Sequence, residues 1–217
     1  MGQYFKCITE DEFGVKKYSM QRKGFDYTSA GSYKIYIGLK LMEHSYIGNA
    51  LTDSISYSLF HHPMRVAWVG DYAVDIPYEQ VKDLNPDFPI VKEAYSTFLK
   101  EALESNDEIG FETEKGEFDY KGKYLINYSK KEYLSFDKYI KQITERYNAE
   151  RCNAKNWHIY PVSLLTAIGN DLGAGGYSGR TFHEEVGTWT YDLLSIEEEV
   201  PEGYKEKSIL FFQVRYR

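Results

Sequence analysis

The chain has 217 residues, 42% of them hydrophobic and 27% charged, with a net charge of −7 at pH 7. That length and apolar content suffice for one domain with a buried core, and the acidic balance disfavours indiscriminate binding to nucleic-acid phosphates. No stretch approaches the ~18 consecutive apolar residues that cross a bilayer, and the N-terminus lacks the charged-then-apolar order of a secretory signal, so a cytoplasmic protein with no membrane contact is expected.

Tyr4–Thr9, Val15–Gln21 and Tyr33–Leu41 are rich in aromatic and β-branched residues, with turn-like Asp11–Gly14 and Thr28–Ser32 between them, a pattern that predicts three strands. Ile47, Leu51, Ile55 and Leu59 then recur every four residues, the signature of one apolar helix face. Ser45 or Asn49 is placed to cap that helix. His61-His62-Pro63 ends it, because proline cannot continue the hydrogen-bond ladder. Arg65–Val69 is a short apolar run, expected as a buried strand that stops at Gly70-Asp71-Tyr72. Pro77–Leu84 predicts a helical turn, and Pro89 opens a second helix with Val91, Ala94, Tyr95, Phe98, Ala102 and Leu103 on its stripe.

Phe111–Tyr120 predicts an acidic hairpin around Lys115-Gly116, within an insertion over about 105–122. Tyr124–Asn127 predicts a strand. Ser135 caps a third helix whose stripe is Phe136, Tyr139, Ile140, Ile143 and Tyr147. Trp157–Ala167, Thr188–Leu193 and Ile209–Arg215 read as strands, Gly169–Gly179 as a glycine-rich loop, and Glu197–Gly203 as a polar connection. Hairpin-like runs at both ends and the lack of regular βαβ alternation predict an α+β fold: a mainly antiparallel sheet with about three helices in a single domain over residues 1–217.

Several features bear on chemistry. Cys7 and Cys152 lie far apart and form no CxxC, so two reduced thiols are expected. Five glycines between Gly169 and Gly179, with Asn170 and Asp171 among them, let backbone amides approach a ligand closely. The loop has neither the Lys-Ser/Thr of a phosphate-binding Walker loop nor the strand-to-helix setting of a dinucleotide fingerprint, and a long surface connection would share its composition. Glu43 and His44 sit at a strand-to-helix junction, and Trp68, Asp71 and Tyr72 at the end of a buried strand. A histidine near a carboxylate is the raw material of general acid–base work, while Glu43 at a helix start would equally offset the dipole. Adjacent His61 and His62 lack the spacing of a metal pair, and HExxH, CxxC and GxSxG are absent. No cofactor and no dedicated metal site is therefore expected.

Three functional readings follow. The leading one is a non-catalytic binding protein for a small polar or nucleotide-like ligand, held by Glu43, His44, Trp68, Asp71, Tyr72, Asn170, Asp171, Gly175, Gly176 and Trp189. The second is a metal-assisted hydrolase using Asp71, Glu43 and His44, since Mg²⁺ needs only one or two carboxylates plus water. The third is an inhibitor that meets a protein partner through residues 101–119, where eight acids face a single lysine, Lys115.

Met1–Phe5, Gly38–Asn49, Arg65–Ala73, Pro161–Asn170 and Val186–Trp189, taken together, resemble a group of bacterial, plasmid and phage proteins that begin with MGQYY. The resemblance spans most of the chain, from residue 1 to about 193. Phe5 stands where the group usually has Tyr, and residues 74–122 have no counterpart. The resemblance implies a microbial source and a shared fold, but no reaction. In a phage or mobile element, a binding module of this kind implies counter-defence, by sequestering a signal.

Overall fold

The computed structural model describes residues 5–14, 16–18, 45–70, 117–149, 158–168 and 185–210. Within them the chain is α+β: eight strands form one mixed sheet, accompanied by three helices. Five strand pairings are antiparallel and two parallel, so the sheet is mainly but not purely antiparallel.

β1 (Phe5–Glu10) turns at Asp11–Gly14 into β2 (Lys16–Tyr18). The Asp11 carboxylate accepts the Phe13 N–H at 3.0 Å and its carbonyl accepts the Gly14 N–H at 3.0 Å, the local side-chain bond that makes Asp a turn former. β3 (Met64–Gly70) pairs along the whole of β1. Its residues are buried on both faces: Val66 and Trp68 on one, Ala67 and Val69 on the other, the continuous apolar pattern of a central strand.

α1 (Ala50–Leu59) begins where Asn49 accepts the Leu51 N–H at 2.9 Å. Ile55 and Leu59 are fully buried, and Ile47 and Leu51 pack beside them. Each such side chain stabilises by roughly 1.5–3 kcal/mol relative to exposure. Asn49→Ala should cost about 1 kcal/mol, the usual worth of a helix cap; a thermal melt that does not move would show that the cap contributes nothing here.

β4 (Tyr124–Asn127) and β5 (Glu132–Ser135) form a hairpin that the sequence only half foretells, because β5 merges into the next helix. α2 (Phe136–Ala149) follows, with the Ser135 hydroxyl accepting the Lys138 N–H at 3.4 Å. Its buried residues are Phe136, Tyr139, Ile143 and Tyr147, with Ile140 half-buried, the stripe that the sequence periodicity predicts.

Two expected strands are corrected. Trp157–Ala167 is not one strand: from Pro161 to Leu165 it is a short helix, α3, followed by the two-residue β6 (Ala167–Ile168). Pro161 takes the first helical position, where its missing N–H costs nothing, and this overrides the β-branched and aromatic composition. Thr188–Leu193 is not a strand either. Residues 185–191 are successive turns, and β7 (Leu193–Glu197) starts where strand was predicted to end. The Thr188 and Thr190 hydroxyls donate to the carbonyls of Glu185 and Gly187 at 2.9 and 2.8 Å, local bonds that compete with a ladder. The polar connection leads to β8 (Lys205–Glu206), and residues 207–210 form no strand.

The sheet order is β2-β1-β3-β7-β4-β5-β8, with β6 beside β3. Cys7, Val66, Trp68, Leu125, Leu134, Leu194 and Ile196 of one sheet face join residues of all three helices in a single core. Phe118 and Tyr120 are buried in it, while Glu117 and Asp119 are exposed. The C-terminal end of the acidic segment is therefore anchored by its aromatic residues, with its acids in water. The rest of that segment, and the predicted elements at Tyr33–Leu41, Pro77–Leu84 and Pro89–Leu103, lie outside the described residues.

Candidate ligand-binding site

One edge of β3 is shared by two neighbours. β7 pairs antiparallel at Met64–Arg65, and β6 pairs parallel at Trp68–Val69. The turn at 185–192 fills the gap between them: the Tyr191 N–H donates to the Val66 carbonyl at 2.7 Å, and the Val66 N–H reaches that of Asp192 at 3.3 Å. The same turn is sewn to α3 and β6, with Gly187 N–H to Leu164 O at 2.9 Å, Trp189 N–H to Leu165 O at 2.7 Å and Thr190 hydroxyl to Ala167 O at 3.2 Å.

This arrangement has two consequences for the segments singled out by sequence. Residues 169–184, which contain the glycine-rich loop, connect two points that the described backbone holds together. Because Val69 pairs in parallel with Ile168, β3 and β6 end side by side, and the chain continues from them into Asp71 and Gly169 respectively. The C-terminal ends of parallel strands are a recurrent place for ligands.

Trp68 lies one pair in from that end and is fully buried, facing Cys7 across β1. Its backbone N–H donates to Thr166 O at 2.8 Å, but its indole N–H has no hydrogen-bond partner. The hydroxyls of Thr9 and Ser45, both buried, are also without partners. Thr9 and Trp68 are diagonal neighbours on one sheet face, since Cys7 opposes Trp68 and Thr9 opposes Val66. Such pairs are about 7–8 Å apart at the backbone. The Ser45 carbonyl accepts the N–H of Tyr160, which leads into α3. Burial pushes the Cys7 thiol well above its ordinary range, so it is not the thiolate that a nucleophile requires.

The neighbouring polar groups are satisfied. Tyr120 donates to the buried Asp53 carboxylate at 2.8 Å, and the Ser56 hydroxyl lies 2.9 Å from both the Tyr120 and Tyr160 hydroxyls. Desolvation raises Asp53 from the ordinary carboxylate range, opposed by bonds from Tyr120, Phe118 and Gly48. Tyr120 and Tyr160 are held well above the ordinary phenol range by burial. This chain of hydroxyls fixes α1, α3 and the end of the acidic segment to one another.

Trp189 is also fully buried, but its indole N–H is used, donating to Glu132 at 2.9 Å. The Lys207 ammonium stands 5.9 Å from its ring centre and 2.6 Å from Glu185. On the other side of the turn, Lys130 pairs with Asp192 at 3.0 Å and reaches the Thr188 carbonyl, and Asn127 donates to Asp192 at 2.8 Å. These contacts clasp the 185–192 turn around the buried Trp189.

Of the residues predicted to form the pocket, Trp68 and Trp189 are described, the indole N–H of the first without a hydrogen-bond partner and that of the second bonded to Glu132. Glu43, His44, Asp71, Tyr72, Asn170, Asp171, Gly175 and Gly176 lie outside the described residues. The sequence passed over Thr9 and Ser45, whose hydroxyls show nothing unusual until the fold buries them. It also set aside His61, whose Nδ1 lies 2.7 Å from Glu197, the same carboxylate that accepts the Ser195 hydroxyl at 2.7 Å. The serine meets the glutamate and not the histidine, so this is not a nucleophilic triad. Among the described residues no group of three His, Cys, Asp or Glu is placed to hold a metal, and no helix is long and apolar enough to cross a membrane. No protein-family model, no curated protein and no solved structure matches the chain.

Proposed function

We propose that this chain is a non-catalytic binding protein for a small polar or nucleotide-like ligand, received where β3 and β6 end together. The observation that carries this reading is the Trp68 indole N–H: fully buried, able only to donate, and without an acceptor. Leaving such a donor unsatisfied costs about 1–3 kcal/mol, and roughly 90% or more of buried polar groups in native proteins are paired. A ligand oxygen or ring nitrogen would satisfy it. Asp71, Tyr72 and the residues from Gly169 onward follow in sequence from the two paired strand ends, and on this reading they contribute to the site. Asp71, Glu43 and His44, the alternative hydrolytic set, and residues 101–116 of the alternative inhibitory surface lie outside the described residues. The resemblance to MGQYY proteins gives the binding a context, the sequestration of a signal molecule in the cytoplasm of an infected or plasmid-bearing cell.

Protein purified from cells and sprayed under native conditions should carry an added mass that is lost on denaturation. A bare chain mass in every preparation, together with no shift in melting temperature across a broad metabolite library, would refute the binding reading.

A further inference from the structure

Residues 117–120 are held to the body by side chains rather than by a strand ladder. They belong to no strand or helix, and segments without such backbone pairing open at lower free energy than core elements. What ties them down is α1. The Tyr57 hydroxyl donates to the Glu117 carbonyl at 3.0 Å. The Asp53 carboxylate accepts the Phe118 N–H and, at 2.8 Å, the Tyr120 hydroxyl, which Ser56 also meets at 2.9 Å. Phe118 packs edge-on against Tyr57 and Phe60, with ring centres 4.9 and 5.7 Å apart. Two of these four polar ties therefore end on one carboxylate. It is 2% exposed, and the Gly48 N–H donates to it at 3.3 Å. The titratable groups facing it are Tyr120 and Glu117 of the segment itself and Tyr160 ahead of α3, and none of them is a cation.

We propose that Asp53 is a proton-controlled latch: protonated, it holds residues 117–120 closed against α1, and ionised, it lets them open while the rest of the core stays folded. An ionised Asp53 shut in by this segment gives up its water and meets an acid, Glu117, instead of a counter-charge, a cost that opening relieves. A protonated Asp53 carries no such cost. In the closed protein burial raises the Asp53 pKa, with Glu117 adding to it, against the hydrogen bonds from Tyr120, Phe118 and Gly48. Opening returns the group to water and towards its ordinary value, so protons favour the closed form. Closure is strongest below the ordinary carboxylate value, near pH 4, and weakens as pH rises through the raised one. Opening would bring the buried rings of Phe118 and Tyr120 out beside the exposed Glu117 and Asp119.

Amide hydrogen exchange of the full chain, followed by NMR and corrected for the pH dependence of unprotected amides, tests the latch. Ile143, buried in α2, reports opening of the whole fold. At pH 7.5 the Phe118 amide should be less protected than that of Ile143, and at pH 4 its protection should be several-fold higher than at pH 7.5. Asp53→Asn keeps an acceptor but cannot ionise, so it should remove that rise. Glu117→Gln, on the exposed surface, should make the rise smaller, and it serves in place of Asp53→Asn should that variant not fold. Phe118 protection equal to that of Ile143 at pH 7.5 would show that the segment opens only with the whole fold and would overturn the proposal. So would protection of Phe118 that is the same at both pH values. A rise that survives Asp53→Asn, or, where only Glu117→Gln folds, one that Glu117→Gln leaves unchanged, would overturn the assignment of the latch to Asp53.

Discussion

Replacing Gly187 with alanine should destabilise the protein by about 3 kcal/mol, whereas the same change at Gly203 should cost about 1 kcal/mol. The two glycines have nearly the same backbone, with φ of +77° and +82°, a left-handed conformation in which any side chain is strained. Their surroundings differ. A Cβ on Gly203 meets nothing within 4 Å, whereas on Gly187 it would lie 2.6 Å from the Ala167 carbonyl oxygen and 3.5 Å from the Thr190 hydroxyl. The near atom at Gly187 is backbone, and it belongs to the strand that borders β3, so relief requires β6 or the turn to move. Urea unfolding of the two variants by far-UV circular dichroism isolates the steric part, because the conformational part is common to both. Equal midpoints would show that the turn does not press on β6 as described. The change also lies at the foot of the segment 169–184. If ligand binding depends on how the two feet are held together, Gly187→Ala should weaken binding while Gly203→Ala leaves it intact.

The sequence disclosed the elements whose pattern is periodic and whose ends are chemically marked. α1 was legible from Ile47, Leu51, Ile55 and Leu59 with Asn49 as its cap, and α2 from Phe136, Tyr139, Ile143 and Tyr147 with Ser135 before it, because burial of one helix face imposes a period that survives in any sequence. Short elements escaped. α3 has five residues, too few for a period, and its Tyr160-Pro161-Val162 start looks extended until Pro161 is recognised as a first helical residue. The 185–191 turns carry β-branched residues whose hydroxyls bond locally, so composition pointed to strand while the side-chain chemistry built turns. Trp68 was identified as a candidate from its place at the end of a buried run. What the sequence could not show is that its indole would be buried without an acceptor whereas that of Trp189 would find Glu132. Two tryptophans of equal burial thus differ by one hydrogen bond, whose acceptor lies 57 residues away in sequence.

Tyr120→Phe should destabilise the protein by about 2 kcal/mol at neutral pH and by clearly less in mild acid. The hydroxyl lost is the one that donates to Asp53 at 2.8 Å and meets Ser56 at 2.9 Å. Asp53 is 2% exposed, and its carboxylate also accepts from the backbone N–H groups of Phe118 and Gly48. An ionised carboxylate in this setting needs every donor it has, whereas a protonated one needs fewer and can itself donate. The pH dependence follows from the direction of the shift. Burial raises the folded-state pKa of Asp53 above its unfolded value, despite the three hydrogen bonds that lower it. The folded protein therefore holds this proton more tightly than the unfolded chain does. The associated stability is fully present below the unfolded carboxylate value, near pH 4, and is lost as pH rises through the higher folded value. Removing the Tyr120 hydroxyl takes away one of the bonds that lower the pKa, so the folded value rises further and the loss on raising pH grows. Urea unfolding of the wild type and Tyr120→Phe at pH 4 and pH 7.5 measures the difference directly. A penalty that is the same at both pH values would mean that the Tyr120 hydroxyl acts through its neutral partner Ser56 at 2.9 Å and that its bond to Asp53 contributes little. A larger penalty at pH 7.5 would identify the Asp53–Tyr120 pair as the tie that holds the end of the acidic segment to α1.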